Sequence, residues 1–97
     1  MIIDNVKYSI NPHQIVNVND EYIISSDQNE TILQVNYVAY EILLYLKERG
    51  SEEVIFTSNI LSHLNSIFDL PENVDEVCAD IEKTIGIFIA SELLVLE

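Results

Sequence analysis

This sequence has few of the residues from which catalytic and metal sites are built. Its 97 residues include one cysteine, two histidines and no tryptophan. A single cysteine excludes a disulfide within the chain. His13, His63 and Cys78 show none of the spacings, such as CxxC or HxxxH, that are typical of metal sites. We therefore expect no metal site, and we interpret Cys78 as a small buried apolar residue.

Glycine and proline are also scarce, with two of each in the chain. Gly50 and Gly86 are isolated, so there is no glycine-rich loop to bind a phosphate group. The carboxylates fall in clusters that are typical of solvent-facing surfaces, and no nucleophile–base pair accompanies them. The sequence therefore predicts no catalytic residue, no cofactor and no enzyme.

Basic residues are the third shortage. Four Lys and Arg residues face seventeen acidic residues, and the formal net charge is −13. Since nucleic-acid affinity depends on Lys and Arg, this charge argues against a DNA or RNA partner. It favours a basic partner and fast encounter with that partner, although acidity also simply keeps proteins in solution.

Long apolar runs are absent, since none approaches the roughly 18 residues that cross a bilayer. We therefore expect no membrane association. Met1 to Ile3 is followed at once by Asp4, from which we expect no secretory signal peptide and a cytoplasmic location. The length and the 48% of hydrophobic residues predict a single domain over residues 1–97, with residues 1–12 as an N-terminal arm or edge strand.

What the chain does contain is a change from alternating apolar residues to helical spacing. The alternating runs predict a three-stranded meander, with turns at Asn19-Asp20 and Ser26–Glu30. The third strand of this meander is predicted from Thr31 to Val35. Asn36 is then predicted to cap a helix that ends at Gly50.

Helical spacing predicts two further helices, one over Thr57–Phe68 and one that starts at an Asn73 cap. Near the end of the third helix Ile85, Ile87 and Ile89 also alternate, so a strand is an alternative there. Strands followed by three helices predict an α+β fold that is winged helix-turn-helix-like, with a three-stranded antiparallel sheet.

Two surfaces are candidates for binding a partner. The strand from Thr31 to Val35 has no charge, Pro or Gly that would block pairing, so it can offer an open edge to an added strand. It can equally lie inside the sheet or beneath the N-terminal arm. A second apolar stripe on the first helix either contacts a partner or widens the core. This stripe consists of Tyr37, Tyr40 and Leu44.

Three segments resemble the PqqD-like family. The run from Leu33 to Leu46 is similar to its segment hydrophobic-x-Leu-Asn-x-x-Ala-x-x-Ile-Trp-x-x-Leu. Leu64 to Glu72 is similar to Leu-x-x-x-Phe-Asp-x-x-x-Glu, and Val77 to Ile81 is similar to Val-x-x-Asp-Val/Ile. The chain lacks the family's Trp in the first helix, and it has Ser91-Glu92 where the family usually has Gly.

The resemblance implies a precursor-peptide recognition element. Such domains bind the leader of a ribosomally made precursor peptide as an added strand, between the third strand and the third helix. They present the leader to a modifying enzyme, such as a radical S-adenosylmethionine enzyme, or to a leader peptidase in lasso-peptide pathways. Carried over by position, the peptide-binding residues are those of the third strand and exposed residues of the third helix. They are Thr31, Ile32, Leu33, Gln34, Val35, Cys78, Ile81, Glu82 and Ile85.

Two other functions remain open at this point. A winged-helix transcription regulator would share the fold, but its recognition helix, Asn73 to Glu92, would have Lys83 as its only base. A small assembly subunit of an enzyme complex would bind through the Tyr37, Tyr40 and Leu44 stripe.

Overall fold

The fold was obtained as a computed structural model, which describes residues 7–26, 32–49, 53–70 and 74–96. In chain order the elements are β1 Tyr8–Ile10, β2 His13–Val18, β3 Glu21–Ser26, β4 Ile32–Val35, α1 Tyr37–Arg49, α2 Thr57–Ile67, α3 Val74–Ala90 and β5 Leu94–Leu96. The main sheet is antiparallel with the strand order β2-β3-β4. The predicted α+β class and its layout of a three-stranded sheet and three helices are thus confirmed.

The first strand pairs with the last strand of the chain rather than with the main sheet. β1 runs antiparallel to β5, with Ser9 opposite Val95, and the N–H of Asn11 donates to the carbonyl oxygen of Leu93 at 2.9 Å. The sequence did not predict this second sheet. Of the predicted arm over residues 1–12, the first six residues lie outside the described part of the chain.

A tight turn sets the register of the main sheet. The φ angles of Asn19 and Asp20 are 53° and 66°, which are the left-handed values of a two-residue type I′ hairpin. Ile24 of β3 consequently faces the core, where it is buried, and Leu33 lies opposite it on β4. The prediction of a turn at this position is confirmed. The second predicted turn falls mostly on residues 27–30, which the structure does not describe.

Asn36 caps α1 as predicted, because the N–H of Ala39 donates to Asn36 Oδ1 at 2.9 Å. The core face of α1 consists of Ala39, Ile42, Leu43, Tyr45 and Leu46. Val38 belongs to this face by helical spacing, but it is 39% exposed. Gly50, the predicted end of the helix, lies outside the described residues.

The other two helices begin and end close to their predicted limits. Phe68 follows the last residue of α2, and its N–H donates to the carbonyl oxygen of Leu64 at 2.8 Å. α3 remains helical through Ala90, so the alternative of a strand around Ile85 to Ile89 is wrong. Its predicted cap, Asn73, is not among the described residues. Helical spacing prevails because it buries Ile81, Ile85 and Phe88 together.

The C-terminal end of α3 turns at a left-handed residue that is not glycine. Glu92 has a φ of 65°. The N–H of Leu93 donates to the carbonyl oxygen of Phe88 at 3.0 Å, and that of Glu92 donates to Ile89 at 3.0 Å. These bonds form a Schellman motif, whose end residues Phe88 and Leu93 are both buried. In the described ranges, no helix has the length and apolarity that a membrane-spanning segment requires.

Candidate functional site

β4 is an edge strand of the main sheet. It pairs with β3, and within the described residues no second strand pairs with it. β1 does not cover it, since β1 pairs with β5. The open edge is the condition on which strand addition depends. Thr31, predicted as the first residue of this strand, lies outside the residues that the structure describes.

The type I′ hairpin determines the direction of the main-chain groups in β3. In such a hairpin the two residues that flank the turn, Val18 and Glu21, form a hydrogen-bonded pair, and the following pairs alternate. The N–H and C=O groups of Glu21 therefore point towards β2. Those of Tyr22 and Ile24 point towards β4.

This alternation continues into β4. Val35 lies opposite Tyr22, and Leu33 lies opposite Ile24, so the polar main-chain groups of Val35 and Leu33 are directed to β3. It follows that the N–H and C=O groups of Ile32 and Gln34 point to the open edge. The register thus leaves two residues of β4 to pair with an added strand.

The side chains of β4 alternate between the two faces of the sheet. Leu33 and Val35 pack against the core. Ile32 is 68% exposed, and the Gln34 side chain is also exposed, with its Nε2 donating to Glu21 Oε2. One face of β4 thus packs against the core, and an added strand would pair along the open edge of β4.

A groove separates β4 from α3. β4 packs against β3 and α1, whereas α3 packs against α1, α2 and β5. A space of about 430 Å³ lies between them. Its lining comes from the end of β4, the start of α1 and the C-terminal half of α3, and consists of Gln34, Val35, Asn36, Val38, Ala39, Asp80, Lys83, Thr84, Ile87 and Phe88.

The α3 residues on this groove differ from the predicted ones. Ile81 and Ile85 are 1% and 0% exposed, so the prediction that they form an exposed wall is wrong. Cys78 is half-buried and Glu82 is exposed, and neither lines the groove. The core buries the face of α3 that carries Ile81 and Ile85. The groove residues of α3 recur at intervals of three or four positions, so they share a neighbouring face of the helix, and this face lines the groove.

A second space of about 270 Å³ lies beside the groove, between α1, α2 and α3. Val38, Asp80 and Thr84 line both spaces, so the two are adjacent. No sequence pattern predicted this pocket. Its one signal was Val38, whose helical spacing placed it in the core although its side chain is left at the surface.

The second apolar stripe of α1 contacts the sheet and α2. Tyr40 stacks on Tyr22 of β3 with ring centroids 3.9 Å apart and planes inclined by 7°. Tyr37 meets Phe68 edge to face, with centroids 5.5 Å apart. Tyr40 and Leu44 are half-buried, whereas Tyr37 is 43% exposed. Tyr40 and Leu44 therefore widen the core, which was one of the two interpretations of the stripe. Tyr37 instead keeps an exposed face.

A chain of polar and aromatic contacts joins α1 to α2. A hydrogen bond from the Tyr37 phenol to Glu41, reinforced by the negative charge of Glu41, raises the pKa of Tyr37 above its ordinary value. Glu41 Oε2 lies 3.5 Å from His63 Nε2, and the His63 ring lies 5.0 Å from that of Tyr45. The Arg49 guanidinium lies 4.8 Å from the centre of the Tyr45 ring.

Known proteins offer no further guide to this site. No protein family, no curated protein and no solved structure matches the chain. Over the described ranges, no group of three or more His, Cys, Asp or Glu residues is placed to hold a metal ion. The open edge of β4 and the adjoining groove are therefore the features from which a function is inferred.

Proposed function

We propose that this protein is a non-catalytic peptide-binding protein that takes up an extended segment as a fourth strand beside β4. The segment is the leader of a ribosomally made precursor peptide. The protein then presents this leader to a modifying enzyme, such as a radical S-adenosylmethionine enzyme, or to a leader peptidase. Its domain is winged helix-turn-helix-like. The observation that carries the proposal is the open edge of β4 beside a groove of about 430 Å³.

The main chain supplies the pairing. The outward N–H and C=O groups of Ile32 and Gln34 can each bond a main-chain group of the guest, and each bond contributes about 0.5–1.5 kcal/mol. Such bonds accept any side chain, so they supply affinity without a requirement for one sequence.

The groove supplies apolar contact. Val38 is 39% exposed and Ile87 is 44% exposed, and both line the groove. A guest that covers these side chains removes apolar surface from water, which stabilises the complex by roughly 25 cal/mol for each Å². The motifs that resemble the PqqD-like family support a precursor leader as the guest, and the formal charge of −13 suits a guest with basic residues.

Replacing Gln34 with Pro tests strand addition. Proline removes the outward N–H of residue 34 and places its ring at the open edge, so we expect affinity for a bound leader to fall about tenfold or more. Isothermal titration calorimetry against a library of synthetic leader peptides measures this change.

The matched control is Gln34→Ala, which loses the same groove-lining side chain and its bond to Glu21 but keeps the N–H. We expect Gln34→Ala to bind about tenfold more tightly than Gln34→Pro does. If Gln34→Pro retains its circular dichroism spectrum and binds leader with unchanged affinity, strand addition at β4 is wrong.

A further inference from the structure

One face of α3 runs along the groove and the adjacent pocket. Glu76 lines the apolar pocket, Asp80 and Thr84 line both spaces, and Ile87 lines the part beside β4. The four residues span about three helical turns, or roughly 16 Å. Since an extended peptide rises about 3.3 Å per residue, a segment of roughly five residues matches this length.

The pocket at the α2 end of this face is closed by the core. Ile42, Leu64 and Ile81 line it and are buried, while Leu70 and Val77 line it and are half-buried. Its volume of about 270 Å³ admits one branched aliphatic or aromatic side chain. The pocket adjoins the groove that runs beside β4, and pockets near an added strand are what select its side chains.

Negative charge lies at the rim of the same pocket. Glu76 and Asp80 both line it and are both exposed. Lys83 lines only the part of the groove beside β4. The two carboxylates therefore give the pocket end a negative potential, and the net charge of −13 adds to it.

We infer that the guest peptide carries an apolar anchor residue for this pocket and, two positions away, a Lys or Arg for Glu76 and Asp80. The two positions follow from strand geometry, because residues i and i+2 of an extended chain lie on the same side. This inference rests on the proposed function and adds what the sequence of the guest contains.

Selection of binders from a phage-displayed library of random decapeptides tests the pairing. We expect the enriched peptides to contain Leu, Ile, Met or Phe two residues from Lys or Arg. Enrichment of acidic residues, or of peptides without an apolar residue at a fixed distance from a base, overturns the inference. Failure to enrich any peptide contradicts the proposed function, and this inference falls with it.

A pair of charge reversals on α3 tests the carboxylates. Asp80→Lys and Glu82→Lys change the net charge equally, both sites are exposed, and only Asp80 lines the groove. Fluorescence anisotropy with an enriched peptide should show a loss of about tenfold for Asp80→Lys, whereas Glu82→Lys stays within about threefold. Equal losses in the two variants would show that only the overall charge matters, and would overturn the assignment.

Added bulk on α3 tests the pocket. Thr84→Met adds bulk at its mouth, so we expect it to weaken the enriched peptide about tenfold and to abolish the difference between that peptide and its anchor-to-Ala version. Ala79→Met adds bulk at an exposed position of α3 that lines neither space, and it should bind both peptides as the unmodified protein does. Unchanged anchor preference in Thr84→Met overturns the pocket assignment.

The Gln34→Pro variant separates the two proposals. If that variant binds the enriched peptide normally while Asp80→Lys and Thr84→Met weaken it, the peptide occupies the pocket without pairing to β4. If Gln34→Pro weakens binding and the α3 variants do not, strand addition holds and the side-chain assignment is wrong.

Discussion

At the scale of single residues, Glu41 connects α1 to α2, and no sequence pattern predicted this connection. It accepts a hydrogen bond from Tyr37 on its own helix, and it faces His63 of α2 at 3.5 Å. Its position on α1, one turn after Tyr37, brings the phenol within reach. The partly buried Glu41 thereby links the exposed Tyr37 to the seam between α1 and α2.

We expect Glu41→Gln to lower the pKa of Tyr37 towards its ordinary value of about 10, because the substitution weakens the hydrogen bond, whose acceptor becomes neutral, and removes the negative charge that disfavours the tyrosinate. A raised pKa favours the neutral phenol in the folded state. The stability from this contact is therefore complete below the unfolded pKa and is lost as pH rises through the folded one. Ultraviolet titration of tyrosinate measures the change.

Tyr37→Phe identifies the titrating group in that experiment. The chain has five tyrosines, and we expect the late part of the titration curve to lose the contribution of one tyrosine in this variant. A late component of unchanged size in Tyr37→Phe would contradict the prediction.

At the scale of elements, α3 ends on a conformation that normally calls for glycine. Glu92 holds a φ of 65°, where a residue with a Cβ is less stable than glycine by roughly 1 kcal/mol or more. We expect Glu92→Gly to be more stable than Glu92→Ala by about 1 kcal/mol, since both remove the side chain and only glycine relieves the strain. Chemical denaturation of the two variants measures the difference.

The same pair of substitutions on a helix interior should give the opposite order. Glu82 is exposed within α3, so Glu82→Gly should be less stable than Glu82→Ala by about 1 kcal/mol. If Gly and Ala prove equally stable at position 92, the left-handed conformation of Glu92 is contradicted.

Elements that short-range chemistry determines could be predicted from the sequence. The Asn19-Asp20 turn and the Asn36 cap depend on residues within a few positions, and both were found. The face of α3 that lies beside β4 depends on what α1 and α2 bury, so spacing could not assign the groove residue Asp80 to it. The family resemblance alone placed the core residue Ile81 at the peptide. The β1–β5 pairing joins distant parts of the chain, and three-residue strands carry too little pattern to reveal it.

At the scale of the whole molecule, the formal net charge of −13 bears on stability and on the proposed binding of a basic guest. Raising the salt concentration from about 0.05 M to about 0.5 M shortens the Debye length from roughly 14 Å to 4 Å. We expect the melting temperature to rise, because screening weakens repulsion among seventeen acidic residues. Binding of a basic guest should weaken over the same range, as measured by anisotropy titration.

A guest in which Gln replaces its Lys or Arg is the matched control for the salt series. Its affinity should depend little on salt, because main-chain hydrogen bonds and apolar contact remain. If the basic and neutral guests show the same dependence on salt, the negative charge of this protein does not select its guest.

The open edge of β4 has a cost when no guest is bound. Unpaired main-chain groups attract any extended chain, including the same strand of a second copy, and such edge-to-edge contact is a route to fibrils. Two copies that approach each other each carry a formal charge of −13, so we expect long-range repulsion to keep the copies apart. Acidification protonates the carboxylates, so we expect self-association at this edge to increase as the pH falls.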